Sequence, residues 1–299
     1  MTHDIPKLLG VIGYPVRHSI SPAFQQAALD HLAIHARYER YEVSPEALPA
    51  FIERARGEEW LGFNVTIPHK QAIIPLLDGV ERWSREIGSV NTVIRRLGGG
   101  LDGRTTDHVG FLRAVRESGF ACKGTRAVVL GVGGSARAIV AALLEAEADS
   151  IHIIGRSGAR AADMVTSLLP LLAHLKGNDA LAPSRDPALH WSTWDPSEMV
   201  ALVRAADLLV NTTPVGMRGG SAECESPVPA NALHPGLTIF DAVYNPINTP
   251  LLRLAHTTGA QTVSGLDMLV YQGAESFRQW TGQDAPIEIM VRAARAALA

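Results

Sequence analysis

The 299-residue chain is poor in cysteine: Cys122 and Cys224 are the only two, far apart and without metal-ligand spacing. At this size a disulfide scaffold is excluded, and the composition reads as that of a cytoplasmic protein that calls for no metal. It has no apolar run near the roughly 18 residues of a membrane-crossing helix. Residues 1–9 lack the positive start, apolar stretch and small-residue cleavage site of a secretory signal. Neither sign of charge dominates, since 27 Lys and Arg stand against 30 Asp and Glu. No broad basic field is therefore present to attract nucleic acid or an anionic membrane. With 46% hydrophobic and 19% charged residues the chain is also far from the composition of disorder, and its length allows two domains.

What is present is an alternation of strand and helix patterns, without repeats. Leu8–Gly13 reads as a strand, and the turn-rich Tyr14–Pro22 leads into a helix over Ala23–Leu32. Strand patterns follow at Tyr38–Val43, Gly62–Ile67 and Ser89–Ile94, and helical ones at Ser44–Arg56, Gln71–Leu77, Val80–Ile87 and Val109–Glu117. From Ala127 a second series of strand and helix units runs to about Val243. Leu175–Pro196, with Gly177, Pro183 and Pro187, reads as an irregular surface insertion. Leu269–Trp280 and Ile287–Leu298 close the chain as helices, the second with apolar positions spaced to pack on the first half.

The apolar run Ala127–Leu130 is followed by Gly131-Val132-Gly133-Gly134-Ser135-Ala136 and then by the alanine-rich Arg137–Ala146. This is GxGxxA between a predicted strand and a predicted helix. There the glycines permit a tight turn and let backbone N–H groups approach a pyrophosphate at a helix N-terminus. A plain glycine turn is the alternative, and the flanks favour dinucleotide binding. At the end of the next strand, where an NAD-binding domain carries a carboxylate, the chain has Gly155-Arg156-Ser157. Arg156 can pair with a 2′-phosphate and Ser157 can donate a hydroxyl, which points to NADP. Arg160 fits a reinforcing charge and a solvated helix position equally well.

Composition and spacing do not name a substrate, but several ordered runs do so by resemblance. Gly13-Tyr14-Pro15-Val16-Arg17-His18-Ser19-Ile20-Ser21-Pro22 and Asn64-Val65-Thr66-Ile67-Pro68-His69-Lys70 resemble the opening signature and the lysine motif of shikimate dehydrogenases. Ser89–Thr92, the glycine loop, Asn211–Met217, Tyr244-Asn245-Pro246 and Gly265–Ala274 continue the resemblance in the family's order over nearly the whole chain. It implies an α/β fold of two domains. One is an α/β substrate-binding domain over residues 1–106, completed by 266–299, and the other a Rossmann-like NADP-binding domain over 107–265. The active site would lie in the cleft between them.

The resemblance carries roles to matching positions. Ser19 and Ser21 would bind the substrate carboxylate, as two hydroxyls at a helix start can; Ser21 equally fits the N-cap of a helix that begins at Pro22. Lys70 would be the catalytic lysine with Asp107 as its carboxylate partner, supplying the acid/base group that a carbonyl–carbinol interconversion needs. Asn64, Thr66, Asn91 and Gln272 match positions that bind ring hydroxyls, and Tyr244 matches an aromatic near the substrate. Gly131, Gly133, Gly134, Ser135, Ala136, Arg156, Ser157, Arg160, Thr212, Met217 and Gly265 would hold the cofactor, Met217 at the nicotinamide. Taken alone, Lys70 reads as a surface residue, Asp107 as a helix cap and Met217 as core.

The chain also departs from the family pattern. Thr105 and His108 flank Thr106-Asp107 where Asn and Gly are usual, so an amide donor and a glycine's access to positive φ are missing. Gln25-Gln26 replaces a common His-Asn, and Gly155 and Ser157 replace the usual Asn and Thr around Arg156. The implied activity is NADPH-dependent, reversible reduction of 3-dehydroshikimate to shikimate in chorismate and aromatic amino acid biosynthesis, by a monomer or homodimer. An NAD-using quinate/shikimate dehydrogenase is the alternative enzyme, and a regulator that binds without turnover the alternative of another class.

Overall fold

The computed structural model describes residues 6–57, 59–176 and 188–299. The chain divides into two compact units, residues 1–110 with 269–299 and residues 111–268. Both chain crossings fall inside helices, Asp107–Glu117 and Gly265–Thr281. Among the described residues no helix is long and apolar enough to cross a membrane.

The first unit is built on a six-stranded mixed sheet with strands β1 (Lys7–Gly13), β2 (Ala36–Glu42), β3 (Gly62–Val65), β4 (Gly79–Val80), β5 (Thr92–Arg95) and β6 (Leu101–Arg104) in the order β2-β1-β3-β5-β6-β4. β1 runs parallel to both neighbours, and β5 is antiparallel to β3 and β6. Phe51, Trp60 and Phe63 meet edge-on in the core beneath it, a geometry that adds to their burial. The helix Ile287–Ala296 packs against Ser21–His31, the contact implied by its apolar spacing.

The second unit carries a six-stranded, wholly parallel sheet of β7 (Arg126–Leu130), β8 (Ser150–Gly155), β9 (Ala188–Thr193), β10 (Leu208–Asn211), β11 (Thr238–Asp241) and β12 (Gln261–Ser264). The order β12-β11-β10-β7-β8-β9 is that of a doubly wound dinucleotide fold, with the switch point beside β7. The inner strands β7, β10 and β11 are mostly apolar runs, as a sheet buried on both faces requires; Leu208, Leu209 and Val210 are fully buried.

Three readings change. The stretch 175–196 is not irregular throughout: Gly158–Lys176 is helical and Ala188–Thr193 forms β9, while residues 177–187 lie outside the described residues. As an edge strand β9 needs little apolar character, so its His, Ser and Thr read as loop. β6 was unforeseen for a related reason, since Leu101-Asp102-Gly103-Arg104 carries two charges on its half-exposed face. Ser21 is not the N-cap: Ile20 holds that place, its carbonyl already accepting the Ala23 N–H, and Ser21 is the first helical residue.

Candidate active site

In the first unit β3, β5 and β6 are neighbours, so side chains at their ends converge. Asn64 on β3 is paired with Thr92 on β5, and Thr92 with Arg104 on β6, which puts Thr106 and Asp107 just beyond. Lys70 lies in the short helix His69–Ala72 that follows β3, and its carbonyl accepts the Val90 N–H. Lys70 Nζ and Asp107 Oδ2 are 2.5 Å apart, with side chains only 13% and 5% exposed. Asn91 closes the other side of the carboxylate, its Nδ2 donating to Asp107 Oδ1 at 2.8 Å. Charge-assisted hydrogen bonds of this kind are among the strongest a protein makes.

Behind this pair lies a network in which nearly every polar atom is committed. Asn91 Nδ2 also reaches Gln272 Oε1 and Thr106 Oγ1, both at 2.9 Å, while its Oδ1 accepts the Thr106 N–H at 2.7 Å. Gln272 donates to the Leu269 carbonyl at 2.7 Å. Asn64 Nδ2 donates to the Asn91 carbonyl and to Ser276 Oγ, and its Oδ1 accepts the Tyr38 hydroxyl at 2.7 Å. Burial drives the Tyr38 phenol well above its usual range, opposed by a hydrogen bond with Ser21. Ser19 Oγ donates to Ser21 Oγ at 3.2 Å, and Arg40 Nε donates to the Ser19 carbonyl at 2.6 Å.

The structure thus brings Ser19, Ser21, Asn64, Lys70, Asn91, Asp107 and Gln272 into one connected array. Thr66 is half-buried beside it, its carbonyl accepting the His69 N–H and its methyl filling the space over Gly13. Sequence reasoning missed Tyr38, Thr92, Thr106 and Ser276. The departures at His108 and at Gln25-Gln26 have local explanations. His108 is inside the helix Asp107–Glu117, where positive φ is not used. Its ring lies 6.0 Å from that of Trp83, and burial lowers its proton affinity against the charges of Asp107, Glu81 and Glu275. Gln25 donates to the Gly273 carbonyl at 2.9 Å, and Gln26 accepts the Tyr38 N–H at 2.9 Å, so both tie their helix in place.

The second unit presents a different kind of site. The helix expected from Arg137 begins at Gly134, so Gly134, Ser135 and Ala136 form its first turn and Gly133 its N-cap. The N–H groups of such a turn have no partners within the helix and, with the helix dipole, suit an anion. Gly131 has φ +114°, and a Cβ there would collide with Thr212 Oγ1. Thr212 itself donates to the Leu130 carbonyl at 2.6 Å, which places it against the glycine loop. Gly133 has open space where a Cβ would stand.

Arg156 is exposed just past the end of β8, with no carboxylate beside it in sequence. Ser157 Oγ accepts the Arg160 N–H at 3.4 Å, so Ser157 caps the following helix and Arg160 sits exposed in its first turn. Arg137, not foreseen, adds a third guanidinium: it donates to Ser167 Oγ at 2.7 Å, and burial lowers its proton affinity, with Asp163 opposing and Arg160 adding to the shift. Met217 is 42% exposed and Tyr244 half-buried, each on a loop that leaves the sheet. Gly265 opens the helix Gly265–Thr281, and a Cβ there would meet the Asp241 carbonyl at 2.5 Å.

Known proteins resemble the chain over nearly its whole length. Residues 11–93 match the profile of the shikimate dehydrogenase substrate binding domain, and residues 265–295 that of the shikimate 5′-dehydrogenase C-terminal domain. The chain is 39% identical over 291 residues to the shikimate dehydrogenase (NADP(+)) of Moorella thermoacetica, covering 97% of this chain and 93% of that protein. It is 42% identical over 285 residues to the enzyme of that name from Methanopyrus kandleri, covering 95% and 93%. The crystal structure of shikimate 5-dehydrogenase from Thermus thermophilus in complex with NADP(H) and shikimate is similar with a TM-score of 0.83 and 34% identity, over 98% of this chain and 100% of that one. On this extent of similarity, and on the motifs that carry it, the chain belongs to the shikimate dehydrogenase family.

Proposed function

We propose that the chain is a cytoplasmic enzyme, monomeric or homodimeric, that reversibly reduces 3-dehydroshikimate to shikimate with NADPH on the route to chorismate and the aromatic amino acids. The observation that carries the chemistry is the Lys70–Asp107 pair, 2.5 Å apart, largely buried and clamped by Asn91. The residues of the second unit fit NADP: a positive-φ glycine, an open glycine at a helix start, and Arg156 where an NAD-binding domain would have an acid. When bound, this cofactor supplies the hydride that adds to the ring carbonyl carbon.

The rest falls to the chain's own side chains. Lys70 donates a hydrogen bond to the carbonyl oxygen and gives it a proton as negative charge develops there, and Asp107 orients the ammonium. In the reverse direction Lys70 accepts the carbinol proton. Ser19 and Ser21 turn their hydroxyls to the substrate carboxylate, while Asn64, Thr66, Asn91 and Gln272 position the ring hydroxyls, with Tyr244 beside the substrate. Holding these groups before the substrate arrives converts orientation into rate. Gly131, Gly133, Gly134, Ser135 and Ala136 hold the pyrophosphate, Arg156, Ser157 and Arg160 the 2′-phosphate, and Thr212, Met217 and Gly265 the nicotinamide side.

The test is an initial-rate assay with shikimate or quinate, each with NADP or NAD, following reduced nicotinamide by absorbance. Turnover confined to shikimate with NADP is the expected result. Comparable rates with quinate and NAD would reassign the chain to the quinate-oxidising enzymes, and shikimate binding without any reduced nicotinamide would make it a sensor.

A further inference from the structure

Asp241 is a fully buried carboxylate in the second unit that the chemistry above does not use. It is the last residue of β11, and its register partner on the neighbouring β10 is Asn211, also the last residue of its strand and also fully buried. The two side chains bond to each other, Asn211 Nδ2 donating to Asp241 Oδ1 at 2.9 Å. Each then organises the loop that leaves its own strand. Asn211 Oδ1 accepts the N–H and the hydroxyl of Thr213 at 3.0 and 2.6 Å, shaping the turn toward Met217. Asp241 Oδ1 accepts the Val243 N–H at 3.1 Å, and its Oδ2 accepts the Thr249 hydroxyl at 2.6 Å. Thr249 in turn caps the helix Pro250–Thr258 by accepting the Leu252 N–H at 3.2 Å.

The span from Val243 to Thr249 contains Tyr244, and the two loops meet again where the Arg218 N–H donates to the Asn245 carbonyl at 2.8 Å. Every partner of the Asp241 carboxylate donates to it, and the ionised form accepts all three bonds as they stand. Burial opposes that form and pushes the group up to about 6, against the hydrogen bonds from Thr249, Val243 and Asn211. A buried charge is costly to a fold, and this one stands where the two loops branch.

We propose that Asp241, with Asn211 as its partner, is a positioning residue for hydride transfer, holding the loop of Thr212 and Met217 and the loop of Tyr244 in one register. This rests on the reading that Thr212 and Met217 contact the nicotinamide and Tyr244 the substrate. It distinguishes Asp241 from a cap that only stabilises the fold.

The test compares the wild-type chain with the variants Asp241→Asn, Asp241→Ala and Thr249→Val. It measures kcat, the KM of each substrate, NADP affinity by calorimetry, and the isotope effect with shikimate deuterated at the carbon that carries the oxidised hydroxyl. Asp241→Asn keeps Oδ1 as an acceptor for Asn211 and Val243 but reverses the bond to Thr249. Asp241→Ala leaves all three donors unmet. The expected kcat falls about tenfold in Asp241→Asn and about a hundredfold in Asp241→Ala, the range for hydrogen bonds to a charged group. The isotope effect rises above the wild-type value, and NADP affinity stays within about threefold because the glycine loop and Arg156 are untouched. If Asp241→Ala does not fold, Asp241→Asn and Thr249→Val decide. A wild-type kcat and isotope effect in both, with only a lower melting temperature, would overturn the proposal. An inactive wild-type chain would instead overturn the functional reading beneath it.

Discussion

The two units hold their candidate sites by opposite means. In the first, side chains make the site: Asn64, Asn91, Thr106, Gln272 and Ser276 are buried and bonded to one another, and Asn91 and Lys70 grip the two oxygens of Asp107. In the second, the backbone makes it: the first turn of Gly134–Glu145 after a positive-φ glycine, with an exposed Arg156 beyond the next strand. A substrate whose identity lies in the placement of its hydroxyls calls for side-chain donors and acceptors of defined direction. A pyrophosphate is the same in every dinucleotide and is met by N–H groups that any helix start offers. In the proposed reading, discrimination between cofactors is left to the guanidinium at the end of β8.

Substitutions can break this contrast at either end. Lys70→Ala removes the proposed acid/base group and is expected to lower kcat by about 10²- to 10⁴-fold, measured as reduced nicotinamide formed at saturating shikimate and NADP. Asn91→Ala leaves Asp107 Oδ1 without its amide donor and opens the network at its centre. A kcat loss of roughly 10- to 100-fold is expected, the range for a hydrogen bond to a charged group; steady-state rates under the same conditions check it. Arg156→Ala acts on the cofactor alone and is expected to raise the KM for NADP about tenfold, the scale of one phosphate contact. Its KM for shikimate and its rate with NAD should stay as in the wild type, and a matched pair of cofactor titrations measures both.

The sequence made the second unit the more legible of the two. Its inner strands are mostly apolar runs, and GxGxxA is a local signal because the backbone turn it encodes is local. Even there β9 was hidden, since an edge strand carries polar residues on its open side. The first unit offered Lys70 and Asp107 only through motif resemblance, because 37 residues separate two side chains that touch. Ser276 was out of reach for the same reason: it bonds Asn64 from 212 residues away, and nothing near it in sequence marks it. Asp241 likewise has no motif of its own, its meaning lying in the register that sets it beside Asn211. His108 shows the reverse error. Its departure from the usual glycine looked like a conformational problem, and the residue proves to be helical.

The central claim is that Lys70 acts on the reacting oxygen while the rest of the first unit binds the substrate. Calorimetric titration of the Lys70→Ala variant with shikimate, in the presence of NADP, tests it most directly. The account predicts a shikimate Kd within about fivefold of the wild-type value, less than one hydrogen bond to a charged group, although turnover is lost. A Kd raised in proportion to the lost turnover would contradict it, and would make Lys70 a binding residue instead of the proton donor.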